Sequence, residues 1–150
     1  MTRILVAAVG NVLRRDDGFG AAVAARLSDL PDGVGVVETG IGGIALLQEL
    51  LGGWDGLVVV DAVDRGAEPG TVFVIEPEVG EGEHVADIHL ANPERVLTAA
   101  KALGCLPPRV RIVGCQPAEV DELDERLTPR VERAVAVAAA KVEEVVRAWL

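Results

Sequence analysis

"GLVVVDAV", Gly56–Val63, runs through four apolar residues, three of them β-branched, and then meets an aspartate. An apolar run with no polar alternation is the signature of a strand covered on both faces. Strands of that kind belong to parallel sheets with helices packed above and below. Asp61 closes the run, so it falls at the strand's C-terminal end, the edge at which open α/β sheets bind ligands.

Four more segments have the same short, β-branched character between Gly, Pro or Asp: "RILVAAV" (Arg3–Val9), "VGVVE" (Val34–Glu38), "TVFVIE" (Thr71–Glu76) and "RVRIVG" (Arg109–Gly114). Helical spacing separates them. Phe19, Val23, Leu27 and Leu30 recur at three- and four-residue intervals after Asp17, and Leu46, Leu47, Leu50 and Leu51 follow Gly43. Asn92-Pro93 and Thr128-Pro129 each set a capping residue before a proline suited to the first helical position, opening helices to about Leu103 and Leu150. The alternation predicts one domain over residues 1–150, a three-layer α/β/α sandwich with a mostly parallel central sheet of about five strands. "PEVGEGEHVADIHLANP", Pro77–Pro93, is the least regular stretch, and a loop of that length inside a compact domain is often functional.

Composition agrees with a single core. The chain has 150 residues, half of them hydrophobic but only 3% aromatic, so Val, Leu, Ile and Ala must fill the interior. A net charge of -10 without any Lys/Arg-rich run excludes electrostatic binding to nucleic acid or to an anionic membrane. No uncharged apolar stretch reaches the ~18 residues that a bilayer-spanning helix needs. The opening "MTRILVAAVGNVL" reads as a buried strand rather than a secretory signal, because it continues into a loop and helix. Cys105 and Cys115 lack CxxC spacing, so neither a disulfide nor a zinc framework is suggested, and a reducing cytoplasm is the expected setting.

After the first strand comes "GNVLRRDDGFG", Gly10–Gly20. Its two aspartates fall where the first helix starts. One of them is accounted for by capping and by the helix dipole; the other is not. The glycine spacing is not GxGxxG, and carboxylates would repel the pyrophosphate that such a loop binds. If the first and third strands are neighbours, Asp17 and Asp61 meet at one rim, where like charges are costly unless a cation or proton joins them. Asp64 reads as a solvated loop residue or a turn former. The only histidines, His84 and His89, lie in the long loop. Two carboxylates and an imidazole suit a divalent transition metal such as nickel, zinc or iron, with positions left open for exogenous ligands.

"GNVLRRDDGFG", "VVVDAVD", a histidine in the loop that follows, "GCQP" (Gly114–Pro117) and "LTPRVERAV" (Leu127–Val135) together resemble the hydrogenase maturation endopeptidases, in order and over nearly the whole chain. The first element is the specific one; the others support it. The resemblance implies a protease that removes a C-terminal extension from the nickel-loaded large-subunit precursor of a nickel-iron hydrogenase. In that family an acidic residue of the first loop, an aspartate ending the third strand and a histidine contact the metal, and these fall here on Asp17, Asp61 and His89, with His84 in reserve. Nickel would arrive with the substrate, and no organic cofactor is implied. The hydrogenase precursor is then the partner, with neither nucleic acid nor membrane, and the protein is expected to act as a monomer. Asp16 is left to shape or cap the helix start.

No HExxH or GxSxG element points to another protease chemistry, and Cys115 reads as a small buried thiol with no base beside it in sequence. Two other classes remain in view. One is a nickel-dependent assembly module that grips the hydrogenase subunit without cutting it. The other is a hydrolase of similar fold, such as a peptidyl-tRNA hydrolase-like enzyme, whose need for a basic surface conflicts with the acidic charge.

Overall fold

The computed structural model describes residues 1–79 and 93–150. Five strands form one sheet: β1 (Ile4–Val9), β2 (Val34–Gly40), β3 (Gly56–Ala62), β4 (Val72–Ile75) and β5 (Arg109–Cys115), in the spatial order β2-β1-β3-β5-β4. β1 pairs in parallel with β2 and β3, and β3 with β5; only the short edge strand β4 runs antiparallel, against β5. Four helices cover the sheet: α1 (Phe19–Arg26), α2 (Ile44–Leu50), α3 (Pro93–Ala102) and α4 (Pro129–Trp149).

The two faces of the sheet explain why the central strands carry uninterrupted apolar runs. Side chains alternate across a strand. Val58 and Val60 of β3, with Ile4, Val6 and Val113, pack beneath Phe19 and Val23 of α1 and Val131, Val135 and Val142 of α4. Leu57 and Val59 turn the other way, with Leu5, Ala7 and Ile112, beneath Leu46 and Leu50 of α2 and Val96, Leu97 and Ala100 of α3. Each fully buried Val or Leu contributes about 1.5–3 kcal/mol relative to exposure, so β3 is stabilised from both sides. The expected three-layer, mostly parallel, five-stranded sheet is therefore observed.

Local differences have local causes. α1 stops at Arg26, and Leu27 is already extended with φ -75° and ψ 123°. Asp29 takes a left-handed φ of 54°, and Leu30 precedes Pro31, which disfavours helical backbone at that position, so the helix cannot reach Leu30. Leu27 still packs against the core. At α4, Thr128 occupies the capping position before Pro129, but its side chain makes no capping hydrogen bond. Asn92 lies outside the described residues. Among those described, no helix is long and apolar enough to cross a membrane.

Candidate active site at the carboxyl edge of the sheet

β1 and β3 lie side by side, with Ala8 opposite Val60, so the loops leaving their C-terminal ends share one rim. Beyond β1, Gly10 turns with φ 129° and donates its N–H to the Gly40 carbonyl at 3.0 Å. The chain then folds back through a 3-10 turn, Arg15–Gly18, which lays Asp17 over Gly10. A β-carbon on Gly10 would lie 2.1 Å from the Asp17 carbonyl oxygen and 3.5 Å from Asp61 Oδ1. Only glycine permits that approach. Gly20 allows a similar approach at the start of α1, where a β-carbon would sit 2.5 Å from the Val60 carbonyl and 2.8 Å from that of Val9. The small residues of "GNVLRRDDGFG" thus let the first loop and α1 close down on the strand ends.

Asp17 is half-buried, and its Oδ2 accepts a hydrogen bond from the Asn11 N–H at 2.9 Å. Asp61 is only 4% exposed, and its Oδ1 is buried with no hydrogen-bond partner among the described residues. Burial chiefly, and then the negative charge of Asp17, push the Asp61 carboxyl well above the ordinary carboxylate range, against a smaller opposing effect of the Ala62 N–H. A buried carboxylate oxygen without a donor, near a second negative charge, is unfavourable unless a proton or a cation joins them. Perturbed groups of this kind concentrate at functional sites. Asp61 also lines a cavity with Ala62, Val63, Asp64, Arg65 and the first residues of α3, Pro93 and Glu94.

Asp16 does something the sequence did not suggest. It is fully buried, yet neither the 3-10 turn nor α1 has a side-chain cap, so of the two expected roles, shaping or capping the helix start, capping is not the one it fills. Its carboxylate faces the opposite way, toward the β5–α4 connection. Oδ2 accepts the N–H groups of Ala118 at 2.8 Å and Glu119 at 3.0 Å, Oδ1 accepts the N–H of Thr128 at 2.7 Å, and the Thr128 hydroxyl lies within 2.8 Å and 3.0 Å of the two oxygens. The Asp16 N–H in turn donates to the Glu119 carbonyl at 3.0 Å. That is where the Thr128 hydroxyl goes instead of capping α4.

A second tie holds the loop after β3. The buried Gln116 side chain accepts the N–H groups of Arg65 at 2.7 Å and Ala67 at 3.1 Å through Oε1, and donates from Nε2 to Asp64 Oδ1 at 2.9 Å. The Gln116 amide, and then the Gly66 N–H, hold the Asp64 carboxyl below its ordinary range. Asp64 is therefore a turn former, as expected, and is also pinned to Gln116. Sequence reasoning missed Gln116 as a residue with a task, although it stands inside the quoted "GCQP". Cys115 beside it is buried, and burial together with the Asp16 charge pushes its thiol up to about 11. A thiol so rarely ionised is a poor nucleophile, in keeping with its reading as a structural thiol.

The structure brings Asp17 and Asp61 together. His89 and His84 lie outside the described residues, and among those described no cluster of three or more His, Cys, Asp or Glu could hold a metal ion.

Solved maturation peptidases share this α/β fold. The structure matches the hydrogenase maturating endopeptidase HybD from E. coli with a TM-score of 0.78 at 29% identity, covering 97% of this chain and 93% of that one. It matches the hydrogenase 2 maturation peptidase of a Thaumarchaeota archaeon with a TM-score of 0.70 at 30% identity, covering 97% and 98%. The family model for hydrogenase maturation protease (HycI) matches residues 22–145, and the hydrogenase expression/formation protein HupD of Rhizobium leguminosarum is 37% identical over 153 residues, covering 98% of this chain and 75% of that protein. The chain belongs to the hydrogenase maturation protease family.

Proposed function

We propose that the protein is an endopeptidase that removes the C-terminal extension from the nickel-loaded large-subunit precursor of a nickel-iron hydrogenase. Family membership supports a protease of hydrogenase maturation, and the observation that carries the site is the buried Asp61 Oδ1, without a partner among the described residues and near Asp17. Two neighbouring carboxylates call for a proton or a cation between them. In this reading the cation is the substrate's own nickel, contacted by Asp17, Asp61 and His89, and it dissociates with the product. The protein works as a cytoplasmic monomer and needs no organic cofactor.

Hydrolysis joins a water oxygen to the scissile carbonyl carbon, breaks the C–N bond and passes the water's proton to the departing amine. The substrate's nickel can polarise the carbonyl or the water. In a second scheme nickel only marks a loaded precursor, and the Asp17 or Asp61 carboxylate takes the proton as general base. Either way the two carboxylates are indispensable.

The test incubates purified protein with nickel-loaded precursor and reads the precursor's mass. Loss of the C-terminal extension, and none from nickel-free precursor, is the expected result. A stable complex without loss of mass would make the protein a non-cleaving assembly module. Asp17→Asn and His89→Ala should each stop processing in a folded protein, while His84→Ala should process normally.

A further inference from the structure

Asp17 sits on a turn that is strained and held from outside. Arg15, two residues before it, has a left-handed φ of 52°, a conformation unfavourable for a side chain of that size and kept only where the surroundings impose it. The surroundings here are the β5–α4 connection. The Arg15 N–H donates to the Asp124 carbonyl at 2.8 Å, and its guanidinium reaches the carboxylates of Asp124 at 3.2 Å and Glu122 at 3.4 Å. Asp16 then seats its buried carboxylate on the amides of Ala118, Glu119 and Thr128. Residues 15 and 16 are thus tied to one side, while the Asp17 carboxylate faces the other and meets Asn11 N–H. Gly10 lies directly beneath the Asp17 carbonyl.

We propose that Asp16 is a positioning residue for the reaction. By anchoring the 118–128 connection it fixes the turn that presents Asp17 at the rim. The inference rests on the proposed role of Asp17 as a working carboxylate. The chemistry of the anchor makes it sensitive to one atom. A carboxylate accepts on both oxygens, whereas an asparagine amide has one acceptor and turns two donors toward the amides that the other oxygen had received. Asp16→Asn therefore preserves shape and breaks the seat.

The experiment compares Asp16→Asn with Val142→Ala, a core change in α4 far from the rim that serves as a control for lost stability. At a temperature where both are folded, Asp16→Asn should lower kcat on nickel-loaded precursor at least tenfold with KM within twofold, and Val142→Ala should leave kcat unchanged. Independently of cleavage, hydrogen exchange of the Asn11 amide, whose acceptor is the Asp17 carboxylate, should become at least tenfold faster in Asp16→Asn than in Val142→Ala. Thr128→Val, which removes only the hydroxyl, should show a smaller change of the same kind, and Thr128→Ser should behave as wild type. Wild-type kcat and wild-type Asn11 protection in Asp16→Asn would overturn the proposal; if that variant does not fold, the same result in Thr128→Val would do so. Failure of the wild-type protein to cleave would overturn the protease reading instead, with the Asn11 amide still deciding the role of Asp16.

Discussion

Asp16 and Asp61 are the same residue type, both buried, with opposite surroundings. Asp16 is 0% exposed and accepts three backbone N–H groups and a hydroxyl. Asp61 is 4% exposed and leaves one oxygen without a donor among the described residues, next to another negative charge. Burial alone does not set the state of a carboxylate; the supply of donors does. Where donors are complete, ionisation is already compensated by the fold. Where they are missing, the charged form is disfavoured unless a proton or another positive partner supplies the compensation.

The hardest test of that contrast is Asp61→Asn. Processing should fall at least about 100-fold, the order of effect associated with losing a positioned acid–base group. Thermal melts of the isolated protein should move the other way at neutral pH. Because the folded-state pKa of Asp61 is raised, its stability contribution is fully present below its ordinary value near 3.8 and is lost as pH rises from there through the folded value. The asparagine variant escapes that loss, so it should melt higher than wild type at pH 7, and the gap should close as the pH falls below the ordinary carboxylate range. A variant that melts lower at pH 7 would place Asp61 with Asp16.

Gly10→Ala probes the approach of the first loop to Asp61. The added methyl would fall 2.1 Å from the Asp17 carbonyl oxygen, on a backbone with φ 129°. Strain at such a position costs about 1–3 kcal/mol, and relief requires Asp17 to move, so urea denaturation and processing assays should both show a loss.

Gln116→Ala weakens the second tie without touching the paired carboxylates. It leaves the amides of Arg65 and Ala67 without their acceptor, at a cost of about 1–3 kcal/mol. Chemical denaturation should report that cost, and exchange of those two amides should quicken, with a smaller fall in processing than for Asp61→Asn. Cys115→Ala should have the smallest effect on turnover, within about twofold, because a thiol titrating at about 11 is under 0.1% ionised at pH 7. Any large loss of kcat there would restore Cys115 as a candidate nucleophile.

The sheet was legible because its central strands are buried on both faces. Leu57 to Val60 carry no polar residue, and both layers of helix explain why. Asp61 was legible for a related reason: it is the first polar residue after such a run, at the edge where parallel sheets bind ligands. Asp16 was misread because its donors come from Ala118, Glu119 and Thr128, over a hundred residues away, while capping rules see only the next turn. Leu30 keeps helical spacing yet falls outside α1 because Pro31 follows it.

The anchoring of Asp16 also bears on biosynthesis. Its contacts span 102, 103 and 112 residues of sequence, so the turn that carries Asp17 has no seat until Thr128 has emerged from the ribosome and β5 has joined the sheet. Contacts this distant form late, after the loop-closure entropy of most of the chain has been met. A nascent chain halted before that point carries Asp17 and Asp61 and still lacks the contacts that seat the turn bearing Asp17. If Asp16 positions Asp17 as proposed, proteolytic competence therefore waits for the segment around Thr128.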